Sequence, residues 1–342
     1  MTATTPGIVC AHHHLYSTLA RGMPPPPATP TSFTEILEQI WWRVDAALDL
    51  DLVRWSALLG AVEALEAGTT AIVDHHASPS AIDGSLDVVA DACAEVGVRV
   101  VCAYEVTDRH GPTGAKAGLA ENERFLRAGG RGLVGAHACL TLSDDTLAAV
   151  VGLARDLGVG VHVHVGEDAV DAAAADRLRP HTTDDWLLAH CVHVDPPLAG
   201  TVAHNPRSNM NNGVGYARPA RWSAAGNRVV LGSDGIGAAM VGEFALAYAA
   251  QRADDVAATP DDAWAWLQAG ADLVPEVRSD EVTWAAADRA DPWYLAFTPG
   301  ARAERVVVDG EVVVDRGVCT RVDAERIRAR AWEEAQRLWS KL

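Results

Sequence analysis

Positive charge is what this chain has least of. Lysine and arginine number 28 against 46 aspartates and glutamates, and the formal net charge is −18. A chain so acidic is a poor partner for a phosphate backbone or an anionic membrane surface, so neither nucleic acid polymer nor membrane is expected as a partner. Solubility alone accounts for the charge. The scarcity of lysine, beside abundant Ala, Val, Asp and Arg, reads as coding bias and not as function. No apolar run is long enough to span a bilayer. No N-terminal stretch joins positive charge to an apolar run, so no signal peptide is expected and the expected location is the cytoplasm. There is no Gly-x-Ser-x-Gly elbow for a serine hydrolase, and no glycine-rich phosphate loop follows the first apolar strand. The six cysteines, Cys10, Cys93, Cys102, Cys139, Cys191 and Cys319, are even in number, but that arithmetic signals disulfides only in short secreted chains. Several lie in apolar runs, where buried thiols are expected.

What is present is a rhythm. Short β-branched runs at Ile8–Ala11, Thr70–Asp74, Arg99–Tyr104, Gly132–Ala138, Val159–Val165, Trp186–His190, Thr201–His204 and Arg228–Gly232 read as eight strands. Between most of them lie amphipathic helical stretches, clearest at Leu52–Leu65, Leu86–Val96, Leu119–Leu126 and Leu147–Leu157. Gly68, Gly97, Gly129 and Gly158 stand where helix C-cap residues belong. The pattern predicts an α/β fold, a (β/α)₈ TIM-like barrel over residues 6–280. Residues 281–342 form a reduced appendage: a β-hairpin at Arg305–Val314 around Asp309-Gly310, then a closing helix from Asp323 to Leu342. The proline-rich Met23–Thr31 reads as a loop over the barrel mouth.

Most of the thirteen histidines fall at or just beyond predicted strand ends, the rim where such barrels place their chemistry. The first strand ends in His12-His13-His14; side chains alternate, so His12 and His14 share a face and His13 turns away. The fifth ends in His162-Val163-His164-Val165-Gly166-Glu167, with His164 nearer the rim. The sixth ends at His190, the fourth at His137, the seventh at His204, and the eighth runs into Asp234. Three imidazoles and a carboxylate, His12, His14, His164 and Asp234, make a candidate site for one divalent metal per chain. Zinc suits the set best, and iron or manganese also accept it. An open position there would lower the pKa of a bound water to about 7. Glu167 reads either as a proton-handling group beside the metal or as a helix N-terminal charge, and Asp234 has its own alternative as an N-cap.

Pro6-Gly7-Ile8-Val9-Cys10-Ala11-His12-His13-His14 resembles the opening of the amidohydrolase superfamily barrel. His164-Val165-Gly166-Glu167, Ala189-His190-Cys191-Val192-His193, His204-Asn205-Pro206-Arg207-Ser208-Asn209 and Ser233-Asp234-Gly235 resemble, in order, later blocks of its aminohydrolase and chlorohydrolase branch. Tyr16-Ser17, Trp41-Trp42, Asp74-His75-His76-Ala77-Ser78-Pro79 and Tyr104-Glu105-Val106-Thr107-Asp108-Arg109 look most like SsnA-type aminohydrolases. The resemblance implies metal binding by His12, His14, His164 and Asp234, with Asp234 accepting a proton from water. It implies proton delivery to a ring nitrogen by Glu167, polarisation of the attacked carbon or the water by His190, and substrate contact by His137. No lysine ends the fourth strand, which sets aside the binuclear type bridged by a carbamylated lysine. The barrel motif begins at Pro6, so the N-terminal β-segment usual in this branch is expected to be missing and the C-terminal hairpin to lack partners.

The expected function is metal-dependent hydrolysis of a carbon–nitrogen bond: deamination of an aminated N-heterocycle or cyclic amidine. Ring opening of a cyclic amide or ureide is the second reading, and a catalytically silent metal-binding scaffold the third. Candidate pocket residues are Arg21, Trp41, Trp42, Tyr104, Glu105, Arg109 and His110; the Trp41-Trp42 pair also reads as a helix with one tryptophan buried and one exposed. A homodimer or larger homo-oligomer is expected, because a hairpin without partners exposes an edge.

Overall fold

The structure is a computed structural model that describes residues 3–195, 197–235, 237–285, 289–298 and 300–342. Met1, and residues 286–288 and 299 of the expected appendage, lie outside the described residues. Eight parallel strands form the body: β2 (Ile8–His13), β3 (Thr69–His76), β4 (Arg99–Tyr104), β5 (Val134–Ala138), β6 (Val161–Val165), β7 (Leu187–His190), β8 (Thr201–His204) and β9 (Val229–Leu231). The runs β2-β3-β4 and β5-β6-β7-β8-β9 are continuous. Bridges Cys102↔Gly132 and Val106↔Ala136 join β4 to β5, and His13↔Asp234 joins β2 to the chain beyond β9. All eight strands anticipated from periodicity are present, four of them shorter at their N-terminal ends by one to two residues.

The strands close because alternate side chains fill the interior. Val9, Ala11, Ala71, Val73, Val101, Leu187, Ala203 and Val230 make a small apolar cluster, and Val274 and Val277 pack into it. A larger cluster joins the outer strand faces to the helices. The pairing of β2 with β3 slips between Cys10 and His13. The slip changes the parity of the strand, so apolar Val9 and Ala11 face the interior below while His12 faces it above.

Helices Leu50–Glu66, Ser85–Val96, Gly111–Arg127 and Asp144–Leu157 cover the outside. Gly97 and Gly158 cap their helices at φ 100° and 67°, left-handed values that cost glycine nothing. No helix among the described residues is long and apolar enough to cross a membrane. All six cysteines are free and buried.

The expectation of a hairpin without partners is corrected. A five-stranded antiparallel sheet runs β1-β10-β11-β12-β13, with β1 at Thr4–Pro6, β10 at Glu281–Trp284, β11 at Ala303–Val308, β12 at Glu311–Asp315 and β13 at Val318–Cys319. The hairpin is β11–β12; Asp309 and Gly310 turn it at φ 52° and 80°, the signs a type I′ turn needs. β10 and β13 flank the hairpin, so its edges are paired. The closing helix, Ala324–Trp339, lies on Leu50–Glu66; Arg337 bonds Asp49 at 2.6 and 3.0 Å, and Trp339 Nε1 donates to the Leu19 carbonyl at 2.8 Å.

Candidate metal centre and cavity

Four histidines at the C-terminal ends of the strands are aimed by the same device. His14 Nδ1 donates to the His75 carbonyl at 2.6 Å, and His164 Nδ1 to the His137 carbonyl at 2.7 Å. His12 Nδ1 lies 2.8 Å from His162 Nε2, and His190 Nδ1 lies 2.8 Å from Asn209 Oδ1. With each Nδ1 engaged, each Nε2 is free to face the centre, the arrangement that orients imidazole ligands. His13 turns away, as alternation predicts, to Ser233 Oγ at 3.1 Å.

Around that centre the donor atoms converge. Asp234 Oδ1 lies 3.0 Å from His14 Nε2 and 3.5 Å from His12 Nε2, and His14 Nε2 lies 3.2 Å from His164 Nε2. Donors held about 2.1 Å from a tetrahedral ion are about 3.4 Å apart, so the spacing is that of ligands around a common cation. The ligand atoms of His12, His164, His190 and Asp234 also lie within 4.8 Å of one another. Two of the nitrogens involved, His12 Nε2 and His190 Nε2, are buried without a hydrogen-bond partner. Burial holds His12 and His164 well below the usual histidine range, so both are neutral, as metal binding requires. His14 differs: burial lowers it, but the Asp234 carboxylate beside it outweighs burial and pushes it up to about 9, so a cation binding there would have to displace its proton. The spacing and the unpartnered nitrogens fit a divalent cation.

Backbone geometry serves the same end. Asp234 adopts φ 59° and His190 φ 71°, left-handed values uncommon for non-glycine residues. Among the described residues no helix starts at Asp234, so the N-cap alternative falls away; its Oδ2 accepts from Ser208 Oγ at 2.5 Å. Gly232 must be glycine for a different reason. A Cβ there would stand 2.3 Å from Asn205 Oδ1 and 2.8 Å from His12 Cβ.

Glu167 is freed from helix capping by its neighbour: Asp168 caps Ala169–Ala175, accepting from Val170 N at 3.0 Å. Glu167 instead lines the cavity, with Oε2 3.5 Å from His190 Nε2 and Oε1 accepting from Asn212 Nδ2 at 3.2 Å. Burial raises its carboxyl to about 7, with Asp234 adding to the rise and His190 opposing it. An acid poised there can exchange protons near neutral pH.

A cavity lies above the centre, lined by His14, His164, Glu167 and Asp234 at the metal end. One wall is the helical segment Phe33–Ala47, which holds a π-helical turn at Leu37–Trp41. Phe33, Leu37, Trp41 and Asp45 follow at intervals of four and all line the cavity, as do Trp42, Glu105 and His137. Neither Trp41 nor Trp42 is exposed; both are half-buried, which corrects the expectation of one buried and one exposed ring. Arg109 does not line the cavity. It stands behind it, bonded to Asp45 Oδ2 at 2.8 Å and 4.7 Å over the Trp42 ring. Arg21, Tyr104 and His110 are outside. Arg21 turns to Glu63 at 2.6 Å, Tyr104 faces the helix Gly111–Arg127, and His110 is exposed. His75 was missed: its Nδ1 lies 3.4 Å from Glu105 Oε2, and its ring nitrogens group with those of His14 and His164. Its position at a strand end, in phase with Val73, was the available signal.

The sequence model of the amidohydrolase family matches residues 3–269. The 5-methylthioadenosine/S-adenosylhomocysteine deaminase of Symbiobacterium thermophilum is 35% identical over 67% of this chain and 56% of its own length. The 5'-deoxyadenosine deaminase of Methanopyrus kandleri is 32% identical over the same shares. The chain thus spans little more than half the length of these two relatives. The methylthioadenosine/S-adenosylhomocysteine deaminase of Desulforudis audaxviator is 31% identical over 98% of this chain and 86% of its own. Among solved structures, a zinc-bound adenosine deaminase from Xanthomonas campestris superposes with a TM-score of 0.85 at 21% identity, covering 99% of this chain and 86% of its own. At that identity the likeness is one of fold.

Proposed function

This chain belongs to the amidohydrolase family, on its aminohydrolase branch, and we propose that it hydrolyses a carbon–nitrogen bond to deaminate an aminated nitrogen heterocycle. The observation that carries this reading is the approach of Asp234 to His12 and His14, and of His14 to His164, beside the buried acid Glu167. We assign those four as ligands of one divalent cation, zinc by preference. The cation supplies Lewis acidity and lowers the pKa of water.

The chain's own groups do the rest. Asp234 accepts the proton of the attacking water. Glu167, lifted toward neutrality by burial, gives a proton to the ring nitrogen. His190, held by Asn209, directs its Nε2 at the attacked carbon or the water. His137 touches the substrate; its Nδ1 bonds Thr141 Oγ1 at 2.6 Å. Phe33, Leu37, Trp41 and Trp42 exclude water from one side. The order of events is attack at the sp² carbon, then loss of ammonia.

The relatives named as deaminases of methylthioadenosine and 5'-deoxyadenosine support an amino-substituted purine as the first substrate to try. The division into a hydrolase barrel to about residue 280 and an appendage after it is part of the proposal. So is a homo-oligomer, supported by the exposed Trp332 on the closing helix and testable by light scattering. The zinc-loaded chain should release ammonia from at least one member of a panel of aminopurines, aminopyrimidines and cyclic guanidines. Ring opening of a cyclic ureide without ammonia would replace deamination by the second reading. No turnover of any panel member would refute the enzyme.

A further inference from the structure

The cavity wall holds five carboxylates, Asp45, Glu105, Glu167, Asp171 and Asp234, and among its described residues no lysine or arginine. Four of the five leave no buried oxygen unpaired. Asp234 faces the metal-binding histidines. Asp171 accepts from the Leu140 and Gly166 amides at 3.0 and 2.7 Å. Glu167 takes Asn212. Glu105 lies among Arg109, His75 and His137 at 3.3, 3.4 and 3.8 Å. Asp45 is the exception. One oxygen, Oδ2, meets Arg109 at 2.8 Å, but Oδ1 is buried with no well-formed hydrogen bond; the amide of the next residue, Ala46, approaches the carboxylate too poorly aligned to satisfy it. The residue is 1% exposed.

An unpaired buried carboxylate oxygen is costly, and persists where something outside the chain completes it. Arg109 is a single cation set between two acids, so it cannot neutralise both. The potential left at Asp45 is negative. We propose that Asp45 is a substrate-binding residue whose free oxygen accepts a hydrogen bond from a positively charged nitrogen group, an ammonium, amidinium or guanidinium, at the end of the substrate away from the metal. The inference rests on the reading of this cavity as the substrate site and names the charge class the site selects. An anionic tail at this end would meet the Asp45 and Glu105 carboxylates, with Arg109 already shared between them, and is disfavoured.

Benzamidine and benzamide test this, since they share a shape and differ in charge. Calorimetry on the zinc-loaded chain is run at pH 8, above the value of about 6 to which burial raises Asp45. Benzamidine should bind roughly tenfold tighter than benzamide, the margin of a charge-assisted hydrogen bond over a neutral one. Asp45→Glu should keep that ratio and Asp45→Asn should bring it close to one. The ratio is taken within each variant, so a general loosening of the helix Trp42–Ala47 cancels. Equal binding of the two probes by the wild type, binding of neither, or an unchanged ratio in Asp45→Asn each overturns the proposal; the last would mean that water alone fills the site. Turnover plays no part, so failure of the deamination reading would show separately, as no ammonia from any heterocycle while the ratio stands.

Discussion

Replacing Glu167 by glutamine should make the protein slower and more stable together. Glutamine keeps the shape of the side chain and an oxygen for Asn212 Nδ2, which lies 3.2 Å away. It removes the titration. Burial lifts Glu167 from 4.5 to about 7, and each pH unit of such a rise corresponds to 1.36 kcal/mol. In the unfolded chain Glu167 ionises near its ordinary pKa; in the fold it resists until about 7. The folded state therefore bears no penalty below pH 4, a growing one between, and the whole of it, roughly 3 kcal/mol, above pH 7. On chelator-stripped protein, where no cation offsets the carboxylate, Glu167→Gln should raise Tm at pH 8 by about 5 °C, and by much less at pH 5. With zinc restored, kcat should fall by about 10²–10⁴-fold, the usual worth of a positioned proton donor. The wild type should lose activity as pH rises through 7 and the donor empties, and the variant should lack that limb. Differential scanning calorimetry at the two pH values and a pH–rate profile check both halves. A variant as active as wild type would refute the proton role; one less stable at pH 8 would refute the account of the burial cost.

Asp234→Asn should lower metal content well below the expected one ion per chain by elemental analysis, and a chelator should abolish wild-type activity reversibly, zinc restoring it. Gly232→Ala should displace His12 and Asn205, and is expected to reduce both Tm and metal content, because its Cβ would stand 2.3 Å from Asn205 Oδ1. Arg99→Ala strips the partner from Asp280, whose side chain is 0% exposed, and should cost about 3–5 kcal/mol in denaturant unfolding with little effect on the metal.

The barrel was legible because strands buried on both faces announce themselves as apolar runs; Arg99–Tyr104 and Thr201–His204 have in the structure the bounds read from sequence. The flanking sheet was harder to see. β1 and β13 have three and two residues, too few for a period to show, and β10 is recognisable only once β11 lies beside it. The proposed metal ligands could be picked out by position at strand ends, since alternation decides direction there. The cavity wall could not. Arg21 lies in the chain just past the rim, yet nothing in its neighbours says that Glu63 will draw it outward. Tyr104 and Glu105 stand together among the candidates, though Tyr104 ends its strand and Glu105 follows it; carried one residue past the end, alternation from the interior Val101 keeps Glu105 and drops Tyr104.

Trp339 closes the C-terminal helix by donating to the carbonyl of Leu19, five residues past His14. The last turn of the chain is thus docked on the segment that follows the first histidines. This sets a timetable for biogenesis. His12 and His14 are made first, His164 more than a hundred residues later, Asp234 later still, and Trp339, the prop beneath Leu19, after all of them. A nascent chain holds two imidazoles with no pocket to house them, and such contacts, distant in sequence, form slowly. The proposed ring of four ligands can therefore close only after Asp234 has been made, and its first two members wait for the other two.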